Sequence, residues 1–216
     1  MVVISILSQK GGAGKTTLAI NLAIAAELDG KSTVILDLDP QASASNFGDM
    51  RESESPVIMS IQAARLNPML ETAKENGADI VVIDTAPHSE SDALAAAKLA
   101  DIIVTPCRPS VLDLQAIRRT ADLVDIARKP AMAVLNSVPH MGKIGDEAEE
   151  ALSQYNFTIA PTRIIQRAAH YHAFTMGQGV QEYEPNGKAA EEISALYKFV
   201  LQHVNMKTKQ HDDMLA

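Results

Sequence analysis

The sequence predicts an α/β fold, in which a doubly wound, mostly parallel sheet is flanked by helices. Five short apolar runs rich in β-branched residues are bounded by Gly, Pro or Asp, as strands buried on both faces of a parallel sheet should be. Segments with helical periodicity lie between these runs. Strand and helix therefore alternate along the chain, and in sheets of this kind ligands bind at the carboxyl ends of the strands.

The predicted elements follow one another without an internal repeat. Strands are expected at 2–7, 33–38, 79–84, 101–106 and 131–136. Helices are expected at 15–28, 66–76, 90–99, 110–128, 143–154, 163–174 and 188–206. The charged segment 49–57 is expected to be a flexible surface loop. The polar residues 207–216 are expected to form a tail behind a single domain that spans 1–206.

Composition limits the kinds of function. Asp and Glu number 27 against 19 Lys and Arg, so the net charge of -8 argues against a broadly basic nucleic-acid binder, although a local basic patch is compatible with it. Aromatic residues make up 4% and Trp is absent, which disfavours stacking platforms for single-stranded nucleic acid. The single cysteine, Cys107, excludes an internal disulfide and fits a reducing cytoplasm. Without a signal peptide or a membrane-spanning run, we expect a cytoplasmic protein with no stable membrane anchor.

Residues 8–17, SQKGGAGKTT, lie between the first predicted strand and the first predicted helix. Glycines there let successive backbone N–H groups face an anion, and the helix N-terminus adds its positive dipole end. Lys15 is expected to reach the β- and γ-phosphates of a nucleotide, and the hydroxyl of Thr16 is placed to ligate Mg²⁺. A second lysine, Lys10, precedes the glycines and is not part of the usual pattern. The predicted phosphate contacts are Gly11, Gly12, Ala13, Gly14, Lys15, Thr16 and Thr17.

The segment K-G-G-x-G-K-T-T resembles the deviant Walker A motif of the ParA/MinD family of P-loop ATPases. The resemblance covers nearly the whole chain and is most specific at 9–17, 37–41 and 84–87. It implies a P-loop NTPase fold, with ATP and Mg²⁺ as cofactors. Lys10 matches the family's signature lysine, which crosses to the phosphates of a partner subunit. Hydrolysis would then depend on an ATP-dependent homodimer, by the logic of an arginine finger supplied in trans.

Two later strands are predicted to end in carboxylates. Asp37 and Asp39 share one face of a strand because they are two residues apart, and D-x-D-P-Q resembles the family's switch I motif, in which the second aspartate orients the attacking water. Asp39 takes that role by resemblance, while Asp37 supports the metal or the loop. Both could instead be turn-forming residues before Pro40. Asp84 ends an apolar run in the Walker B arrangement, facing Mg²⁺ directly or through water. The implied catalytic residues are Lys10, Lys15 and Asp39, and the metal residues are Thr16, Asp39 and Asp84.

Weaker patterns suggest a base site and a DNA surface. By resemblance, Asn136 and Pro161 are expected beside adenine, although Asn at a strand end is often only a turn residue. Arg163 and Arg167, four apart on a predicted helix, would share one face. With Lys188 they could form a patch that contacts DNA phosphates, or they could be ordinary solvated surface charges.

The resemblance implies a short ParA/ParF-type ATPase of plasmid or chromosome partition. Such a protein binds nonspecific DNA in its ATP state, so it would associate with the nucleoid. It works as a dimer or filament, together with a centromere-binding partner of the ParB or ParG kind. One alternative is a MinD-like regulator on a membrane, which the polar tail with Asp212 and Asp213 disfavours. Another is an ATPase that positions a protein cargo with the same site, and the sequence separates it poorly from a partition protein.

Overall fold

The computed structural model describes residues 1–205 in full and residues 206–215 as helix backbone only. The strands are β1 Val2–Ile6, β2 Thr33–Asp37, β3 Val57–Ser60, β4 Ile80–Asp84, β5 Ile102–Cys107, β6 Ala131–Leu135 and β7 Thr158–Ile159. They form one seven-stranded sheet in the order β3-β2-β4-β1-β5-β6-β7, in which each neighbouring pair is parallel. The predicted parallel sheet is confirmed. The two edge strands were not predicted.

The helices lie on both faces of this sheet. They are α1 Lys15–Leu28, α2 Ser43–Met50, α3 Leu66–Glu75, α4 Glu90–Leu99, α5 Val111–Ala127, α6 Ile144–Leu152, α7 Ala168–Thr175, α8 Val180–Tyr183 and α9 Lys188–Leu215. One apolar cluster joins α1, α2, α7, α8 and α9 to the sheet, and the clusters on the other face contain residues of α3, α4, α5 and α6. Strand residues alternate between the two faces, so the doubly wound architecture is confirmed.

Three sequence expectations need correction or lie beyond the fully described residues. The helix expected at 163–174 begins only at Ala168, because the preceding segment is extended and forms a parallel bridge between Ile165 and Val138. The expected flexible loop 49–57 is instead the end of α2, a short connection anchored by the buried side chain of Arg51, and the start of β3. The expected tail 207–216 lies outside the fully described residues, and the single domain 1–206 stays a prediction.

The carboxyl ends of three central strands lie side by side. Asp84 at the end of β4 is in register with Ile6 of β1 on one side and Asp37 of β2 on the other. The chain leaves β1 into the glycine-rich loop and enters α1 at Lys15. Loop, helix N-terminus and two carboxylates therefore meet at one edge of the sheet, where ligands of such folds bind. Among the described residues, no helix has both the length and the apolar character needed to cross a membrane.

Candidate nucleotide-binding site

The glycine-rich loop is fastened from below by Asn136. The Asn136 side chain, which is 4% exposed, donates a hydrogen bond from Nδ2 to the carbonyl oxygen of Ala13 at 2.7 Å. Gly14 adopts a positive φ of 98°, and a Cβ at this position would lie 2.0 Å from Asn136 Nδ2. Only glycine fits both the backbone and the space. The loop therefore has one fixed support on the β6 side of the sheet.

Lys15 is folded inward toward its own loop. It is 6% exposed, and its Nζ donates to the carbonyl oxygen of Lys10 at 3.4 Å. Burial lowers the pKa of Lys15, while the charges of Asp84 and Asp39 act in the opposite direction. Lys10 itself is half-exposed. The two lysines thus occupy different settings, one buried and one partly open to solvent.

Thr16 and Asp84 form the part of the site that suits a divalent cation. The Thr16 hydroxyl donates to Asp84 Oδ2 at 2.7 Å, and the other carboxylate oxygen, Oδ1, is buried without a hydrogen-bond partner. Burial raises the pKa of Asp84 to about 7, although the hydrogen bond from Thr16 and the charge of Lys15 lower it. An unpartnered buried carboxylate oxygen beside a hydroxyl fits the all-oxygen coordination of Mg²⁺.

The two carboxylates after β2 have different surroundings. Asp37 is fully buried and accepts backbone N–H bonds from Asp39 at 2.9 Å, Ala44 at 3.0 Å and Ser45 at 3.1 Å. Burial raises the pKa of Asp37 in spite of these bonds. Asp39 is half-exposed and accepts one bond from the N–H of Gln41 at 3.0 Å. Of the two roles left open for Asp37, the geometry therefore favours support of the loop, and Asp39 stays partly accessible.

A pocket of about 360 Å³ opens above the loop. It brings Asp39 of the β2 side together with Lys15 and Thr16. Its lining also contains side chains that the sequence reasoning left without a site role: Ser43, Pro87, Arg108 and Phe174. Phe174 comes from α7, far along the chain from the phosphate loop. The pocket is thus closed on one side by the C-terminal part of the chain.

Asn136 and Pro161, which were expected beside adenine, are not among the residues that line this pocket. The Asn136 amide nitrogen is engaged by Ala13, so the side chain supports the loop in this structure. Pro161 is exposed just after β7. Contact with adenine stays a prediction for both residues.

Each cation of the expected DNA patch has an acidic partner. Arg163 pairs with Asp146 at 2.7 Å and with Glu149. The other two pairs are Arg167 with Glu192 at 2.6 Å and Lys188 with Glu191 at 3.0 Å. The expectation that Arg163 and Arg167 share a helix face is wrong, because α7 begins after both. These ion pairs lower the local positive charge, and a role in DNA binding stays a prediction.

Comparison with known proteins agrees with this geometry. A family model described as the CobQ/CobB/MinD/ParA nucleotide binding domain matches residues 4–170. Maintenance of carboxysome distribution protein A of Gloeobacter kilaueensis is 34% identical over 209 residues, which are 94% of each chain. Protein ParA of Rhizobium radiobacter is 27% identical and covers 97% of this chain and 88% of its own.

A solved structure shows the same fold. The septum site-determining protein MinD of Pyrococcus horikoshii OT3, complexed with Mg-ADP, superposes with a TM-score of 0.75. The match covers 92% of this chain and 95% of that chain at 18% sequence identity. The predicted P-loop NTPase fold is thereby confirmed.

Proposed function

Because the chain belongs to the ParA/MinD family of nucleotide-binding ATPases, we propose that it hydrolyses ATP in a cycle of dimerisation that distributes a cargo. The observation that carries this proposal is the pair of lysines in one phosphate loop. Lys15 is buried and bonded to the carbonyl oxygen of Lys10, whereas Lys10 is half-exposed and is the lysine that could reach toward a second subunit. A cation supplied by that subunit would stabilise charge that develops on the transferred phosphate.

The proposal gives each side chain of the site a task. Lys15 releases the carbonyl oxygen of Lys10 and turns its ammonium group to the β- and γ-phosphates. Asp39, half-exposed at the pocket, orients the attacking water. Thr16 and Asp84, with Asp39 close by, would hold Mg²⁺, and this ion would neutralise phosphate charge. Gly11, Gly12, Ala13, Gly14 and Thr17 bind phosphate oxygens mainly through the backbone.

Lysine substitutions separate nucleotide binding from dimerisation. Lys15→Ala should abolish ATP binding in calorimetry. Lys10→Ala should bind ATP nearly as well as the wild type, but lose ATP-dependent dimers in light scattering and lose turnover. Lys31→Ala, which removes an exposed lysine behind α1, is the matched control. If Lys10→Ala hydrolyses ATP as fast as Lys31→Ala does, the role in trans is wrong.

Duplex DNA is the first candidate for the partner that the ATP-bound protein binds. In this form of the proposal, the protein acts in plasmid or chromosome partition with a centromere-binding partner. The support is the resemblance of the site to partition ATPases and the match to a ParA protein, which covers 97% of this chain and 88% of that protein. Duplex DNA at low salt tests it, with ATP compared with ADP and Asp39→Ala used to trap the ATP state. Binding with ATP alone that weakens as salt rises is the expected result.

A protein assembly is the second candidate cargo. It is favoured by the relative at 34% identity, whose name assigns it to carboxysome distribution, and by the acidic partner of each predicted DNA-binding cation. The same DNA experiment separates the two candidates. Absence of DNA binding in both nucleotide states, with ATP hydrolysis intact, would favour a protein cargo or filament formation.

A further inference from the structure

The side chain of Arg51 is buried just behind the site. It is 3% exposed, and it makes a bidentate ion pair with Glu182 of α8, with both N···O distances at 2.9 Å. Its remaining N–H groups donate to the carbonyl oxygens of Gly177 at 2.9 Å and Ser55 at 2.7 and 3.2 Å. Planar, fully bonded guanidinium groups of this kind fix the elements that they join.

Other contacts fasten the same end of α2 to the C-terminal segment. Gly177 has a φ of 64°, and a Cβ there would lie 2.5 Å from the carbonyl oxygen of Met50, the last residue of α2. The Arg51 guanidinium lies 5.5 Å from the centre of the Phe47 ring. Phe47 packs in turn on Phe174, with ring centres 5.2 Å apart, and Phe174 lines the phosphate pocket. The turn after α7 and the end of α2 therefore form one packed unit.

The N-terminal end of α2 is bonded to the segment that carries Asp37 and Asp39. The buried carboxylate of Asp37 accepts the N–H groups of Ala44 and Ser45 in the first turn of α2, and also the N–H group of Asp39. Ser43, the first residue of α2, lies in the pocket with Asp39. The helix is only eight residues long. A displacement of its far end is therefore carried directly to Asp39 and Ser43.

We propose that the ion pair between Arg51 and Glu182 is a positioning device for hydrolysis, which holds α2 so that Asp39 and Ser43 keep their place opposite Lys15. The inference rests on the proposed ATPase function. Arg51 does not line the pocket, so it acts through α2 and is a positioning residue. The phosphate loop has a support of its own outside α2, since Asn136 donates to the carbonyl oxygen of Ala13 from the β6 side. Loss of the pair should therefore slow turnover and spare the affinity for ATP.

Burial of the Arg51 side chain, with Glu182 only 25% exposed, explains why the ion pair holds α2 firmly. Desolvation alone would raise the pKa of Glu182, but the hydrogen bonds from Arg51 and the Gly179 N–H and the charge of Arg51 outweigh it, and the pKa is lowered. The carboxylate stays charged and bound to the guanidinium at neutral pH. An exposed ion pair such as Lys188 with Glu191 would give a much weaker hold.

The test compares Arg51→Met with Leu152→Ala. Methionine fills much of the space without a charge, and Leu152 is a fully buried core residue of α6, beside the other edge of the sheet. Leu152→Ala thus controls for general destabilisation. Arg51→Met should reduce kcat for ATP hydrolysis by about 10- to 100-fold, since a misplacement of about 1 Å can cost about 100-fold. Its dissociation constant for ATP should stay near the wild-type value, and kcat of Leu152→Ala should stay near wild type.

Glu182→Gln provides a milder second variant. It keeps the shape and an acceptor for Arg51 but loses the charge, so its kcat should fall between those of the wild type and Arg51→Met. Amide hydrogen exchange over residues 39–46 should quicken in both variants and not in Leu152→Ala. If kcat and exchange in the two variants match Leu152→Ala, the positioning role is refuted. If the wild type itself hydrolyses no ATP, the proposed function fails instead, and exchange alone still decides whether the pair holds α2.

Discussion

Asn136 offers the sharpest test of how the phosphate loop is supported. Asn136→Ala removes the Nδ2 donor that lies 2.7 Å from the carbonyl oxygen of Ala13. Ala13 is 1% exposed, so water does not readily replace the lost donor. Leaving a buried acceptor unsatisfied costs about 1–3 kcal/mol. For a chain of this size about 1 kcal/mol lowers Tm by about 2–4 °C, so a loss of about 2 kcal/mol should lower Tm by about 4–8 °C.

Thermal unfolding of the nucleotide-free protein measures this effect. Asn76→Ala is the matched control, because the Asn76 amide is exposed and bonds only within its own helix end, to the carbonyl oxygen of Thr72 at 2.8 Å. It should change stability by less than about 0.5 kcal/mol. A Tm for Asn136→Ala equal to that of Asn76→Ala would refute the support of the loop.

Ligand binding by the same variant separates the two readings of Asn136. If the amide supports the loop, affinities for ATP and for inorganic triphosphate should fall together. If the amide contacts adenine, as the resemblance implies, only the affinity for ATP should fall. Calorimetry with both ligands on the wild type and Asn136→Ala gives the answer.

Three further outcomes follow from the site. Gly14→Ala should abolish ATP binding in calorimetry, and adding Asn136→Ala should not restore it, because the strain of a φ of 98° remains after the clash is removed. In metal-free protein, burial raises the pKa of Asp84 from 3.8 to about 7. The protonated carboxyl therefore stabilises the fold fully below about pH 3.8, and this contribution is lost as the pH rises through about 7. The free energy of unfolding, measured by urea titration, should show this loss in the wild type and not in Asp84→Asn. Burial raises the pKa of the Cys107 thiol to about 12, so iodoacetamide at about pH 8 should label it only after unfolding. Rapid labelling of the folded protein would contradict that burial.

The elements predicted well are those whose signal is local. The central strands are continuous apolar runs, and the phosphate loop is a contiguous motif between a strand and a helix. The edge strand β3 escaped prediction because Val57 and Met59 are largely exposed and it has only four residues. Helix α2 escaped because its first turn is held by Asp37, a side chain at the end of the preceding strand.

Errors about charged residues have a common physical cause. Arg51 lies in a charged stretch that reads as solvated, and its partner Glu182 is 131 residues away along the chain. Arg163 and Arg167 were expected on one helix face. The segment before α7 is instead extended, because Ile165 forms a bridge with Val138, and no local sequence pattern marks that bridge. Pairing of charges depends on the tertiary fold, and one sequence gives no direct sign of it.

Helix α1 needs α9 to cover one of its sides, so a fragment of this chain that folds has to include α9. Most of its 14 residues are buried, because the sheet covers one side and α9 covers the other. Ile193, Leu196 and Val200 of α9 belong to the same apolar cluster as Leu18 and Leu22 of α1. A fragment cut at residue 170, where the family match ends, would leave that side of α1 open to water and prone to aggregation. The segment that contains the site motifs therefore cannot be separated from the C-terminal helix without exposing the core.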